Sequence, residues 1–261
     1  MIVRAWGVVI LAFGALLLAL ISFAWALVSV VLLPLMTVPA GRRVGRQGAM
    51  YAFRSWLAIM EALGAWRLDL SALDALRGAG PLIIAPNHPS LLDAVFVISR
   101  LPDTVCVMKG SLLRNFLLAP AARLARYVPN DSLLRLIASA GAELQEGGQL
   151  LLFPEGTRSV GPVGRFTEAV GAVSRRTGVP VQAVVIEDNV RFLGKDWAPG
   201  RLPAFPLAYR IRLGRRFEPP ADVRAFTVEL ERYFARELSA SPAEAQVGEA
   251  VIVGGASDLR G

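Results

Sequence analysis

The chain has 261 residues, enough for one good-sized domain with an appendage, and 54% of them are hydrophobic, a high share for a soluble globular protein. Its net charge of +7 rests almost wholly on arginine, since Lys109 and Lys195 are the only lysines. That excess reads as a mixture of Arg-rich coding and contact with anionic head groups or other phosphates. No nucleic-acid-binding motif accompanies the charge, so no nucleic-acid partner is expected. The lone Cys106 excludes a disulfide framework and reads as a buried, reduced thiol.

Ala5 to Val38 carries no charge. The run exceeds the ~20 residues that cross a bilayer and the apolar core of ~7–15 that marks a secretory signal. Pro34 should break or kink it. Residues 1–40 are therefore expected in the membrane, either as one span to about Val28 with an interfacial continuation or as a hairpin dipping into one leaflet. Arg4 precedes the run, and Arg42, Arg43, Arg46 and Arg54 follow it. This asymmetry places the rest of the chain on the cytoplasmic side of the inner membrane if the segment spans. Residues 41–64 interleave arginines with Met50, Phe53, Trp56, Leu57, Met60 and Leu63. Such a basic amphipathic helix suits a membrane surface or, equally, packing on a core.

From 65 to 240 short apolar runs alternate with helical patterns. Strands are expected at Trp66–Ser71, Leu82–Ala85, Thr104–Met108, Gln149–Phe153, Val181–Ile186 and Leu207–Leu213. Helices are expected at Ser90–Ser99, 115–126, 131–146, 167–177 and Ala221–Leu238. The alternation implies an α/β domain with a mostly parallel central sheet flanked by helices. Residues 241–261 are small and polar apart from Val251–Val253 and read as a poorly ordered tail.

Two polar clusters sit where strands end, the place where α/β sheets carry their chemistry. The first is Asn87-His88-Pro89-Ser90-Leu91-Leu92-Asp93, which holds the only histidine. Asp93 can fold back on the imidazole, keep one nitrogen protonated and leave the other as a free base. Its charge should move His88 upward from ~6.5. The competing reading makes Ser90 to Asp93 a capping box. The second cluster, Phe153-Pro154-Glu155-Gly156-Thr157-Arg158-Ser159, offers a tight backbone approach at Gly156, hydroxyls at Thr157 and Ser159, and a phosphate-matched fork at Arg158. Glu155 there can accept from a substrate hydroxyl or brace Arg158. A plain surface turn with a Glu–Arg pair would look the same.

Together, a histidine with an aspartate five positions on and a downstream Phe-Pro-Glu-Gly-Thr-Arg resemble the lysophospholipid acyltransferases, bacterial 1-acylglycerol-3-phosphate acyltransferases in particular. Val179 to Ile186 is similar to the family's fourth motif, a proline-containing strand, and Lys109 stands where many members carry a lysine. The stretch Ala125 to Asp131 departs from the second motif, because the usual arginine is missing or displaced. Glu187 to Arg201 is similar to acyltransferases of aryl-polyene and related pigment-lipid pathways. The resemblance implies transfer of a fatty acyl group from acyl-CoA or acyl carrier protein to a hydroxyl of a lysolipid or glycerol-phosphate-type acceptor, without metal or cofactor. His88 would be the general base oriented by Asp93. Asn87, Lys109, Glu155, Gly156, Thr157 and Arg158 would bind substrate. Alternatives are an ornithine-lipid, glycolipid or polyene-lipid acceptor, or an inactive membrane scaffold of the same fold.

Overall fold

The computed structural model describes residues 2–161 and 163–239, so the tail expected from 241 lies outside the described residues. Two long helices come first, α1 (Ile2–Leu35) and α2 (Val38–Ala62). No break occurs near Val28; the helix ends at Leu35, one residue after Pro34, where the sequence expected it to be broken. Pro34 has no N–H to donate to the carbonyl four residues back, so it terminates α1 within its last turn, and the chain reverses at Met36-Thr37 with Pro39 in the first turn of α2, where a missing N–H forfeits little.

The two helices form an antiparallel hairpin. Trp56 Nε1 donates to Gly14 O at 2.8 Å, and the Trp25 ring lies where a Cβ on Gly48 would sit, so only glycine fits there. Met50, Trp56, Leu57 and Met60 are buried. The apolar face of α2 is thus turned onto the domain rather than onto a membrane surface. Arg46, read as one of its surface cations, is buried as well: its guanidinium pairs with Glu143 and donates to Ala125 O at 3.1 Å. Leu63 alone of the residues named for this face is exposed. α1 runs against α2 and meets the body at Gly7, close to Phe205 and Leu202. Its outer side exposes Val9, Leu16, Leu20, Leu27 and Val31. Among the described residues it is the one helix long and apolar enough to cross a membrane.

The α/β body follows, with strands β1 (Trp66–Asp69), β2 (Leu82–Pro86), β3 (Thr104–Met108), β4 (Val128–Pro129), β5 (Gln149–Leu151), β6 (Val181–Asp188) and β7 (Leu207–Phe217). Their order in the sheet is β1-β7-β6-β2-β5-β3-β4. Every pairing is parallel except β6 with β7, so the sheet is mostly parallel. Helices α3 (Asp93–Ile98), α4 (Ala119–Leu124), α5 (Leu133–Gln145), α6 (Ala169–Thr177) and α7 (Val223–Ser239) complete the fold, with short 3-10 turns at Ser71–Leu76 and Gly110–Arg114.

Central strands are buried on both faces, as parallel sheets require. Leu82 and Ile84 of β2 join the core under α1, α2 and α3, while Ile83 and Ala85 join the core under α5, α6 and α7. The helix expected at Ser90–Ser99 begins only at Asp93. Residues 87–92 are irregular, because their polar groups bond to neighbouring segments instead of to a helical turn.

Candidate active site

Strands β2 and β5 are parallel neighbours, with Ile84 opposite Leu151, so the segments leaving their C-terminal ends lie side by side. That register brings the two polar clusters together. Phe153 stacks on the His88 ring, with centroids 3.9 Å apart and planes at 21°. Ser159 N–H donates to His88 O at 2.8 Å, and Ser159 Oγ bonds Glu155 Oε1 at 2.7 Å.

His88 Nδ1 is 2.8 Å from Asp93 Oδ2. The same oxygen accepts the Ser90 N–H at 2.8 Å. The expected capping box is only half made: Asp93 accepts the Ser90 N–H, but α3 begins at Asp93 behind Leu92 with no side-chain cap, and Ser90 Oγ donates to Phe192 O. As an acceptor, Oδ2 puts the ring hydrogen on Nδ1 and leaves Nε2 with its lone pair. Asp93 is fully buried and its Oδ1 has no partner among the described residues. The His88 side chain is 16% exposed. Burial lowers its pKa to about 4, with Glu155 opposing and Arg158 assisting, so the ring is neutral at physiological pH. This corrects the expected upward shift: desolvation outweighs the neighbouring carboxylate. Burial likewise raises Asp93 well above the usual carboxylate range, opposed by the Ser90 N–H.

The other named residues divide by location. Lys109, Gly156 and Thr157 line, with His88, a cavity of about 670 Å³. Gly156 has φ +65°, which glycine takes without strain. Asn87 is buried and faces away from that space. Its amide clamps β6, donating to Ile186 O at 3.0 Å and accepting from Ile186 N at 2.7 Å. Glu155 neither braces Arg158 nor offers a free oxygen. Oε1 accepts from His88 N at 3.1 Å and from Ser159 Oγ, and Oε2 accepts from Gly164 N at 2.9 Å. Both residues position the histidine loop. Arg158 Nη1 donates to Leu193 O at 2.8 Å and Gly194 O at 3.1 Å, which ties it to the segment after β6. Among the described residues, its Nε and Nη2 have no partner. Arg126, in the departed second motif, is committed to Glu143 at 2.9 Å and lies outside the cavity.

The cavity itself was not foreseen from sequence. It runs from His88 between Leu91, Val95 and Cys106 to Trp25 and Phe53 of the hairpin. Its volume and mostly apolar lining suit a lipid-like ligand. Cys106, whose thiol burial pushes up to about 12, contributes as a small apolar group.

A neutral imidazole held by a buried carboxylate therefore lines an apolar cavity that Lys109 also lines. The acyltransferase family model matches residues 67–187. A 1-acyl-sn-glycerol-3-phosphate acyltransferase of Pseudomonas aeruginosa is 25% identical over 237 residues, covering 88% of both chains. The crystal structure of the 1-acyl-sn-glycerophosphate (LPA) acyltransferase PlsC of Thermotoga maritima shares the fold with a TM-score of 0.59 at 20% identity, covering 87% of this chain and 96% of that one. The chain is thus similar to acyltransferases of the 1-acylglycerol-3-phosphate type, in its α/β body and over most of its length.

Proposed function

We propose that the protein is a membrane-bound enzyme that moves a fatty acyl group from the thioester of acyl-CoA or acyl carrier protein to the hydroxyl of a lysophosphatidate-type acceptor. The observation that carries this reading is the 2.8 Å His88–Asp93 pair opening onto the apolar cavity. Nε2 takes the acceptor's proton as its oxygen attacks the thioester carbon. The C–S bond then breaks and the proton passes to the departing sulfur, giving an ester and a thiol. Asp93 fixes the tautomer and offsets the charge on the ring, as in a serine-protease dyad without a protein nucleophile. Lys109 at the cavity and the unpartnered nitrogens of Arg158 are the cations for a phosphate head group. The commitment of Arg126 to Glu143 favours a second reading, in which the acceptor is an ornithine lipid, glycolipid or polyene lipid.

Attachment to the membrane follows from α1. Its contacts with α2 and, at Gly7, with Phe205 and Leu202 support a hairpin seated in one leaflet over a span. A crossing would carry α2, with Arg42, Arg43, Arg54 and Glu61, into the hydrocarbon. The domain would then face the cytoplasm at the inner membrane.

The test is product analysis. The full chain in phospholipid vesicles is given acyl-CoA or acyl carrier protein with lysophosphatidate, a lyso-ornithine lipid or a monoacyl glycolipid. Phosphatidate as the main product is expected. Acylation of only the phosphate-free acceptors would overturn the acceptor assignment, and no acyl transfer to any of them would overturn the activity.

A further inference from the structure

Asp93 has polar neighbours that do not line the cavity and that the mechanism has not used. Asp188 ends β6 and stands opposite Tyr209 of β7 in the antiparallel register. Directly opposed residues share a face of the sheet, with Cβ atoms about 4.5–5.5 Å apart. The Tyr209 ring packs on Phe96 with centroids 4.6 Å apart, and Phe96 lies one turn into α3 from Asp93. The Asp188–Tyr209 pair therefore faces the start of the helix that carries Asp93.

Three buried polar atoms in this group have no hydrogen-bond partner among the described residues: Asp93 Oδ1, Asp188 Oδ2 and the Tyr209 hydroxyl. Tyr209 is 2% exposed, and Asp93 is fully enclosed. The two carboxylate oxygens can accept and the phenol can donate. Ser90, the remaining polar neighbour, is already committed. Its Oγ donates to Phe192 O at 2.7 Å and accepts from Leu92 N–H at 3.2 Å. Buried polar groups are nearly always paired, so three orphans in one place need a reason.

These groups also act on one another. Burial raises Asp188 to about 6, with Arg191 opposing and Asp93 assisting. Burial and then Asp188 raise the Tyr209 phenol, with the Ser90 hydroxyl opposing and Asp93 assisting, so the phenol keeps its hydrogen. Asp93 itself faces His88, the Ser90 N–H, Glu155 and Arg158.

We propose that Asp188 and Tyr209 are positioning residues for the base: the Tyr209 hydroxyl is the donor for the two carboxylates, and the Asp188 charge sets, through Asp93, how readily the His88 ring takes the acceptor's proton. This role rests on the proposed base and deepens it. With Asp188 ionised, a second negative charge near Asp93 favours the imidazolium that forms as the hydroxyl attacks. With Asp188 protonated that support is lost, so turnover should step up as pH rises through the Asp188 transition.

His88 is the only histidine, so ring-15N-histidine labelling of the full chain in detergent micelles gives one pair of imidazole nitrogen signals. The wild-type shifts should show a small step near pH 6, above the protonation of the ring itself near 4. Asp188→Asn should remove the step. Tyr209→Phe should move it to higher pH, because a donor that favours the anion is gone. Both replacements nearly keep side-chain volume, and thermal melting checks that each protein is folded. At alkaline pH, where wild-type Asp188 is ionised, Asp188→Asn should lower kcat by about tenfold, as for a unit charge near the ring at an effective dielectric of ~20. The KM for the acceptor should not change, since neither residue lines the cavity. A wild-type titration without the step, a step that persists in Asp188→Asn, or a loss confined to KM overturns the role. His88→Ala decides the base separately. If it is folded and inactive, the base stands whether or not the step appears. If it is folded and active, the base is overturned even where the ring senses Asp188.

Discussion

Two buried acid–base pairs sit inside this protein, one between segments far apart in the chain and one within five residues, and they are built to opposite plans. Arg46 and Glu143 tie α2 to α5 and leave little unsatisfied: Arg46 Nε bonds Ala125 O, and Arg126 and Arg42 share the Glu143 carboxylate. His88 and Asp93 sit at the cavity with Nε2 free and with Asp93 Oδ1 unpartnered. A buried charge with its neighbours supplied is a fastener. A buried pair that leaves acceptor capacity unused costs stability and is kept where chemistry needs it.

Variants at the two pairs and at Arg158 test that contrast. The largest effect should come from His88→Ala, which removes the base while the cavity and sheet remain. Acyl transfer should fall by at least the ~10²–10⁴-fold that a general base supplies. Asp93→Asn should fall nearly as far, and the double variant little further, because both serve one proton transfer. Turnover and thermal melting of all three proteins are the measurements. A folded, active His88→Ala protein would make both pairs fasteners.

Next is Glu143→Ala, which strands Arg46 in a buried site. The loss should be about 3–5 kcal/mol of stability, with near-normal turnover per folded molecule. Denaturant unfolding in detergent gives the first quantity and titration of active molecules the second. A normal melt would mean that Arg46 finds water without its partner.

The smallest effects concern Arg158. Removing a charge-assisted donor should raise the KM for a phosphate-bearing acceptor by about 1.5–3 kcal/mol of binding and spare a phosphate-free one. The same variant bears on pH. With its pKa lowered by burial, His88 stays neutral as pH falls through 6.5 and protonates only near 4, so the acid limb of kcat/KM should lie below 6.5. Arg158 helps to hold that pKa down, so Arg158→Ala should move the limb upward. A wild-type limb above 6.5 would restore the carboxylate as the dominant influence on the ring.

The sequence by itself determined the architecture of the body. Period-two and apolar-run strands alternating with helical stretches define a mostly parallel α/β sheet, because residue spacing is local information. It also marked the two polar clusters, since each follows an apolar run directly. It did not separate substrate contacts from positioning residues. Asn87 and Glu155 look like ligands until β6 and the His88 N–H are found at their polar atoms, and those partners are far away in the chain. Spacing likewise gave α2 two faces without saying that the apolar one would meet the domain, or that Arg46 would be enclosed with Glu143. The cavity was beyond reach for the same reason, since its walls come from the hairpin, α3, β3 and the loops after β3 and β5. The direction of the His88 shift needed tertiary structure most of all. A neighbouring carboxylate is visible five residues away, but the loss of solvent that outweighs it is set by everything packed around the ring.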